Sequence, residues 1–409
     1  MLAYRDGSKR SNTVGIVSPK RQRDTVTNAT QPGFLESSQK QAGTTLGRAR
    51  RYENRMCTGL LLATLLLPLL LSAAPPPSDS KTHTVTVPVL LLDGGRKLVF
   101  EGTLSSERDV NPKRGFWKKV LDVVAGAPDV HFMVRPFSVV TDSRGRIIVT
   151  DPGAGGVHIF DLKEQKYKFI SRKEKSNEAM TTPQCVAVDA QDNIYVTDSE
   201  LGKIFVFEPS GKFSRVIGSL KHGEGYFKHP TGIAVDSAAQ RIYVSDTWRN
   251  QIFVTDMQGS VLQKIGQSGS GEGEFNFPTD VRLDGPSLLV LDAMNFRMQA
   301  LDRSGAFQFA IGSLGDGPGE MFRPKGLGID SEGHLYVVEG LSGVVQVFDR
   351  QGQLLYYFGK KGTGFGDFQL PTGLFIDHTD HVYVVDSYNH RVQMFHYFGM
   401  GKHAAGGAQ

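Results

Sequence analysis

The chain's 409 residues would hold two ordinary domains, but all-β folds run past two hundred residues as one unit, and 47 glycines point to many tight turns. Its formal charge of +4 divides into +7 over residues 1–55 (11 Lys/Arg less 4 Asp/Glu) and −3 over the rest, which excludes a basic folded domain built to replace counterions on nucleic acid. Two cysteines, Cys57 and Cys185, exclude a disulfide framework, and neither has CxxC spacing for zinc, redox or haem.

The first element is an apolar run, LLLATLLLPLLLSAA from Leu60 to Ala74, preceded by Arg48, Arg50, Arg51 and Arg55 and followed by PPPSDS. It has the length of a signal-peptide core and is short for a bilayer span; Pro68 weakens a straight membrane helix. Residues 56–78 are therefore expected to be a signal peptide with cleavage near Ser72–Ala74, or, uncleaved, an anchor that tethers the chain to a membrane through residues 57–74. Either way the C-terminal part would lie outside the cytoplasm, periplasmic or extracellular. Met56 opens a more usual leader, so residues 1–55 read as an upstream mis-start or a disordered basic leader. Residues 79–115 hold THTVTVPVLLLDGGRKLVF, which alternates weakly about a DGG turn and predicts a hairpin.

From residue 116 to 399 the chain repeats. Pro136, Pro183, Pro230, Pro278, Pro324 and Pro371 recur at intervals of 46 to 48 residues, and six residues after each stands Asp142, Asp189, Asp236, Asp284, Asp330 or Asp377. Each unit reads strand, turn, strand, as in TGIAVDSAAQRIYVSD, followed by a third strand such as QIFVTD and a fourth such as SVLQKIG. Four short strands per unit make a propeller blade, and six units predict an all-β six-bladed β-propeller. The last unit runs into GMGKHAAGGAQ and lacks a fourth strand, with residues 400–409 expected to be a disordered tail. An N-terminal strand, assigned to FWKKVLDVV (116–124), is expected to complete that blade and close the ring.

The motifs PTGIAVD, IYVSD, DSYNHRVQMF and GTGFGDFQLP resemble the NHL-repeat family of six-bladed propellers, in its exported bacterial form, over roughly residues 116–399. The resemblance implies the fold and is nearly silent on activity. Amidating lyases of this architecture place zinc-binding histidines just after the repeat proline. Here those positions are Phe137, Gln184, Thr231, Thr279, Lys325 and Thr372, so that zinc site is absent. Lactonase-like calcium sites need several converging carboxylates, and only Asp280 stands at the inner rim. The RNA-binding and ubiquitin-ligase uses of NHL propellers do not fit, for want of RING or B-box cysteines and of a basic propeller.

Recurrence separates scaffold from site. Met133, Met180, Phe227, Phe275, Met321 and Phe368 stand three residues before each proline and are expected in the core. The loops GSGEGEF, GDGPGEM and GTGFGDF lack the lysine and helix of a phosphate loop and read as turns. Asp151, Asp198, Asp246, Asp292, Glu339 and Asp386 end the second strands, where each is expected to cap its turn. Cys185 is expected to be a buried, inert thiol.

Function is sought where the units differ, on the face that carries the channel mouth. The candidate binding residues at the mouth are Gln184, Thr231, Thr279, Asp280, Lys325 and Thr372; the candidate partner-facing residues are Trp248, Arg249, Met294, Phe296, Tyr388 and His390. The expected function is a non-catalytic scaffold that engages a protein or peptide partner, with no nucleic acid, no cofactor and no metal. The competing reading is a metal-dependent lyase or lactonase-like hydrolase with its site in the channel.

Overall fold

The computed structural model describes residues 88–110, 130–171, 179–220, 222 and 225–400. The leader, the apolar run of residues 57–74 and the proposed closing strand 116–124 lie outside the described residues. Among the described residues no helix is long and apolar enough to cross a membrane.

Six antiparallel sheets form the six blades. In blade three the strands Pro230–Asp236, Arg241–Asp246, Gln251–Asp256 and Val261–Ile265 pair in sequence order from the channel outwards. Blade five repeats this with Pro324–Ile329, Leu335–Glu339, Val344–Phe348 and Leu354–Phe358. The two middle strands are buried on both faces because each sheet is sandwiched between neighbours, so IYVSD and QIFVTD read as unbroken apolar runs. Outermost strands alternate, as LLYYF does, because one of their faces meets solvent. Met133, Met180, Phe227, Phe275, Met321 and Phe368 are all buried, as their recurrence predicts.

The ring closes through an N-terminal strand, but through a different one from that expected. The hairpin β1 (Val89–Leu91) and β2 (Lys97–Leu104), turning at Asp93–Gly95, adds to blade six, with β2 antiparallel to Arg391–Phe398 in the fourth-strand position. The place assigned to residues 116–124 is therefore filled by β2. Its residues Leu98, Phe100 and Leu104 point inwards and are buried, which KLVFEGTL supplies despite a bulge between Phe100 and Gly102. The seam to blade one is closed at the channel, where Thr372 Oγ1 and the Gly373 amide both donate to the Phe137 carbonyl at 2.8 Å. A side chain at residue 373 would sit 2.6 Å from that oxygen, so only glycine admits the approach.

Candidate functional site

Each second strand ends in its acid at the channel-mouth face, and each acid accepts from a backbone amide of the loop leading into the same blade. Asp151 accepts from the amides of Val134 (2.6 Å), Arg135 (2.9 Å) and Ala154 (3.0 Å); Asp198 accepts from Thr181, Thr182 and Leu201 at 2.6, 3.1 and 2.9 Å. Among the described residues, only Asp151 and Asp198 of these acids accept from an amide of their own turn; Asp246, Asp292 and Asp386 make no such cap bond, and Glu339 accepts only from Phe322 and Arg323. The role common to all six is therefore to fasten the loop leading into the blade, not the turn cap expected. Burial by itself would raise the Asp151 carboxyl, but His158 and the three backbone amides outweigh it and hold the group below its ordinary range.

The candidate mouth residues separate into four kinds. Thr231 and Thr372 are structural: Thr231 Oγ1 lies 2.7 Å from Thr247 Oγ1, and Thr372 makes the seam bond. Gln184 and Thr279 each keep a buried side-chain oxygen, Oε1 and Oγ1, with no hydrogen-bond partner. Lys325 is largely enclosed, and burial, with Arg323 close by, pulls its ammonium below the usual lysine range.

Asp280 does not stand at the rim. It is 5% exposed, accepts from the amides of Val281 (2.9 Å) and Leu327 (3.2 Å), and lies 3.3 Å from Arg282. Arg282 crosses the channel, donating to the carbonyls of Leu327 and Leu374 at 3.2 Å each. Sequence reasoning passed over Arg282, although its place two residues along the same strand puts it on the face of Asp280. Asp280, the carboxylate named at the inner positions, is thus taken up by Arg282 and two backbone amides. Cys185 is 4% exposed with Sγ 3.3 Å from Ser138 Oγ, and burial pushes its thiol up, as expected of an inert cysteine.

A different group could hold a cation. Glu101 of β2, His381 and His396 bring ligand atoms within 4.8 Å of one another at the end of blade six away from the mouth. His381 and His396 face each other on consecutive strands fifteen residues apart, but Glu101 comes from the other end of the chain, so no local motif announces the three. Each already has a polar neighbour: His381 and His396 lie 3.6 and 3.3 Å from Glu101, and Asp377 lies 3.3 Å from His381.

The candidate partner-facing residues also divide. Thr247–Arg249, Ala293–Asn295 and Ser387–Asn389 each form a single helical turn that ends on a left-handed residue, Asn250, Phe296 or His390, whose side chain reaches the next blade. Asn250 accepts from the Phe277 amide (2.8 Å), Phe296 stacks on Phe322, and His390 bonds the Val134 carbonyl. Arg249 lies over the Tyr226 and Phe253 rings and pairs with Asp246. Phe296, His390 and Arg249 are thus held within the scaffold. Trp248, Met294 and Tyr388 are free outwards, 55%, 52% and 57% exposed, with Trp248 resting on the His229 ring. Each is the second residue after its blade's acid, and Leu341, 46% exposed, holds that place in blade five. Sequence reasoning did not include Leu341, since GLSG there lacks an aromatic residue.

Comparison with known proteins bears on the fold. Residues 180–243 and 233–298 match a family described as a 6-bladed β-propeller, and residues 368–395 match the NHL repeat. Among solved structures, an auxiliary nutrient binding protein from Bacteroides thetaiotaomicron is 12% identical, with 65% of this chain and 69% of that chain covered and a TM-score of 0.50. A virginiamycin B lyase from Staphylococcus aureus is 13% identical, with 74% and 99% covered and a TM-score of 0.48. No curated protein matches the chain in sequence. At these identities the likeness is one of architecture alone; the six sheets and the family matches make this chain a six-bladed β-propeller with an NHL repeat at residues 368–395.

Proposed function

We propose that the chain is a non-catalytic binding propeller, working outside the cytoplasm, that docks a protein or peptide partner on its channel-mouth face. The observation that carries this reading is the arc of Trp248, Met294, Leu341 and Tyr388, one exposed large apolar side chain at the same place in four successive blades. Six-fold repetition explains buried apolar residues, but nothing in blade packing requires these four, and an exposed apolar row is what a protein interface uses. Phe277, Phe322 and Leu370, 44%, 43% and 38% exposed in the neighbouring loops, widen the arc. A ring with a paired channel acid and variable loops fits binding better than chemistry.

The test is site-specific photo-crosslinking in the native cell, with the reactive residue at Tyr388 or, on the opposite face, at His378. Adducts of one defined mass from position 388, absent from 378 and reduced by Trp248→Ser with Met294→Ser, are expected. Equal labelling at both positions, or none at 388, would sink the docking surface. Export is tested separately by N-terminal sequencing of secreted material: a mature start just after residues 72–74 is expected, and a secreted chain still beginning at Met1 counts against cleavage.

A further inference from the structure

Blades four and six share one polar device at the mouth, and blade five has its frame without the arginine. In blade four Arg297 donates to Asp292 (3.0 Å) and to the carbonyls of Gly271 (2.7 Å) and Glu274 (3.1 Å). Blade six repeats this with Arg391 on Asp386 (2.7 Å), Gly364 (2.6 Å) and Asp367 (3.1 Å). Asn295 and Asn389 each add one bond to the acid at 2.8 Å and one to the carbonyl of Gly269 or Gly362. Blades one and three pair the acid differently, with His158 at 3.3 Å from the place Gln299 holds and with Arg249 at 3.4 Å from the place Asn295 holds. The corresponding residues of blade five are Ser342 in place of asparagine and Val344 in place of arginine.

The frame around that gap is intact. Glu320 accepts from the Gly317 amide at 3.0 Å as Glu274 does from Gly271 at 2.9 Å, and Gln346 binds the Gly319 amide and the Glu320 carbonyl as Gln299 binds those of Gly273 and Glu274. Gln299 also donates to Asp292 at 3.1 Å. In blade five Glu339 instead keeps Oε1 with no partner, although the residue is only 4% exposed. The space left is a cavity of about 480 Å³, lined by Asp316, Gly317, Glu320, Glu339 and Val344 and bordered by Tyr357. A carboxylate oxygen buried without a donor is costly, and burial raises the Glu339 carboxyl even though its other oxygen accepts from the Phe322 and Arg323 amides at 3.3 and 3.0 Å and Lys325 acts on it from nearby.

We propose that this cavity receives the guanidinium of a partner's arginine, seated where Arg297 and Arg391 sit in blades four and six. The planar fork of guanidinium meets a carboxylate and adjacent carbonyls together, which a lysine ammonium cannot do in that geometry. Phe322, Leu341 and Tyr357, 43%, 46% and 52% exposed, offer apolar surface to the arginine stem and its neighbours, which favours an arginine within a peptide over a free ion. The assignment to a partner rests on the docking reading of this face; the guanidinium chemistry does not.

The experiment is calorimetric titration of the full chain with N-acetyl-arginine amide, with the uncharged citrulline analogue of the same shape, and with a short peptide carrying arginine between leucines. The arginine amide should bind, the citrulline amide about tenfold or more weakly, and the peptide more tightly than either. Glu339→Gln should weaken the arginine amide by a similar factor. Val344→Arg should fill the cavity from within, raise the melting temperature and abolish binding, which keeps the test clear of misfolding. Equal binding of arginine and citrulline, or binding that survives Val344→Arg, overturns the proposal. A peptide no tighter than the amide overturns the partner assignment in favour of a free guanidinium compound. If the arginine amide does not bind while crosslinking at position 388 succeeds, the cavity proposal falls and the docking surface stands.

Discussion

Asp151 and Glu339 hold the same place in their blades, yet their surroundings send their carboxyls in opposite directions. Asp151 is held below the ordinary 3.8, so its contribution to stability is present above that value and is lost as pH falls through the folded pKa. Glu339 is raised above 4.5, so its contribution is complete below that value and is lost as pH rises through the folded pKa. At pH 7 Asp151→Asn should therefore cost about 1–3 kcal/mol in urea unfolding. Glu339→Gln should be neutral or stabilising there, and any gain should vanish at pH 4. A loss at pH 7 from Glu339→Gln equal to that from Asp151→Asn would contradict the difference in environment. The Asp280–Arg282 pair makes a second test at this scale. Arg282→Met leaves a buried carboxylate uncompensated and should cost about 3–5 kcal/mol, much of it recovered when Asp280→Asn is added. Additive losses in the double variant would show that the two residues do not act as a pair.

At the scale of the strand, the blades were legible because proline, aspartate and period-two alternation recur in register. The closing strand was not legible, and the reason is physical. It comes, with β1, from the far end of the chain from the other strands of its blade, so no repeat spacing places it, and KLVFEGTL alternates no more strongly than FWKKVLDVV. Pairing with Arg391–Phe398 and burial of Leu98, Phe100 and Leu104 single it out only in three dimensions. Removing residues 88–104 should expose a sheet edge on blade six and replace a single sharp melting transition with a broad or early one. An unchanged calorimetric transition would show that β2 is dispensable to closure.

Across the whole molecule, the apolar arc and the gap in blade five lie on one face, where loops from successive blades meet. The core residues, and that the six acids serve the scaffold, could be read from the chain, because a residue type repeated in register has a scaffold reason; that the acids fasten the incoming loop and mostly not their own turn could not. The candidate face could be read as a set of loops, but not which side chains it leaves free. Trp248, Met294 and Tyr388 point outwards, whereas Phe296, His390 and Arg249 are tied to adjacent rings and carbonyls. The sequence by itself determined six blades, their period and their core, since local alternation and recurrence are properties of a single repeat. Only the tertiary structure decided which strand closes the ring, that Arg282 consumes Asp280, and that Glu339 keeps an unpartnered oxygen where its counterparts in blades four and six meet an arginine. Each of these depends on which residues from different strands or loops come to share one space.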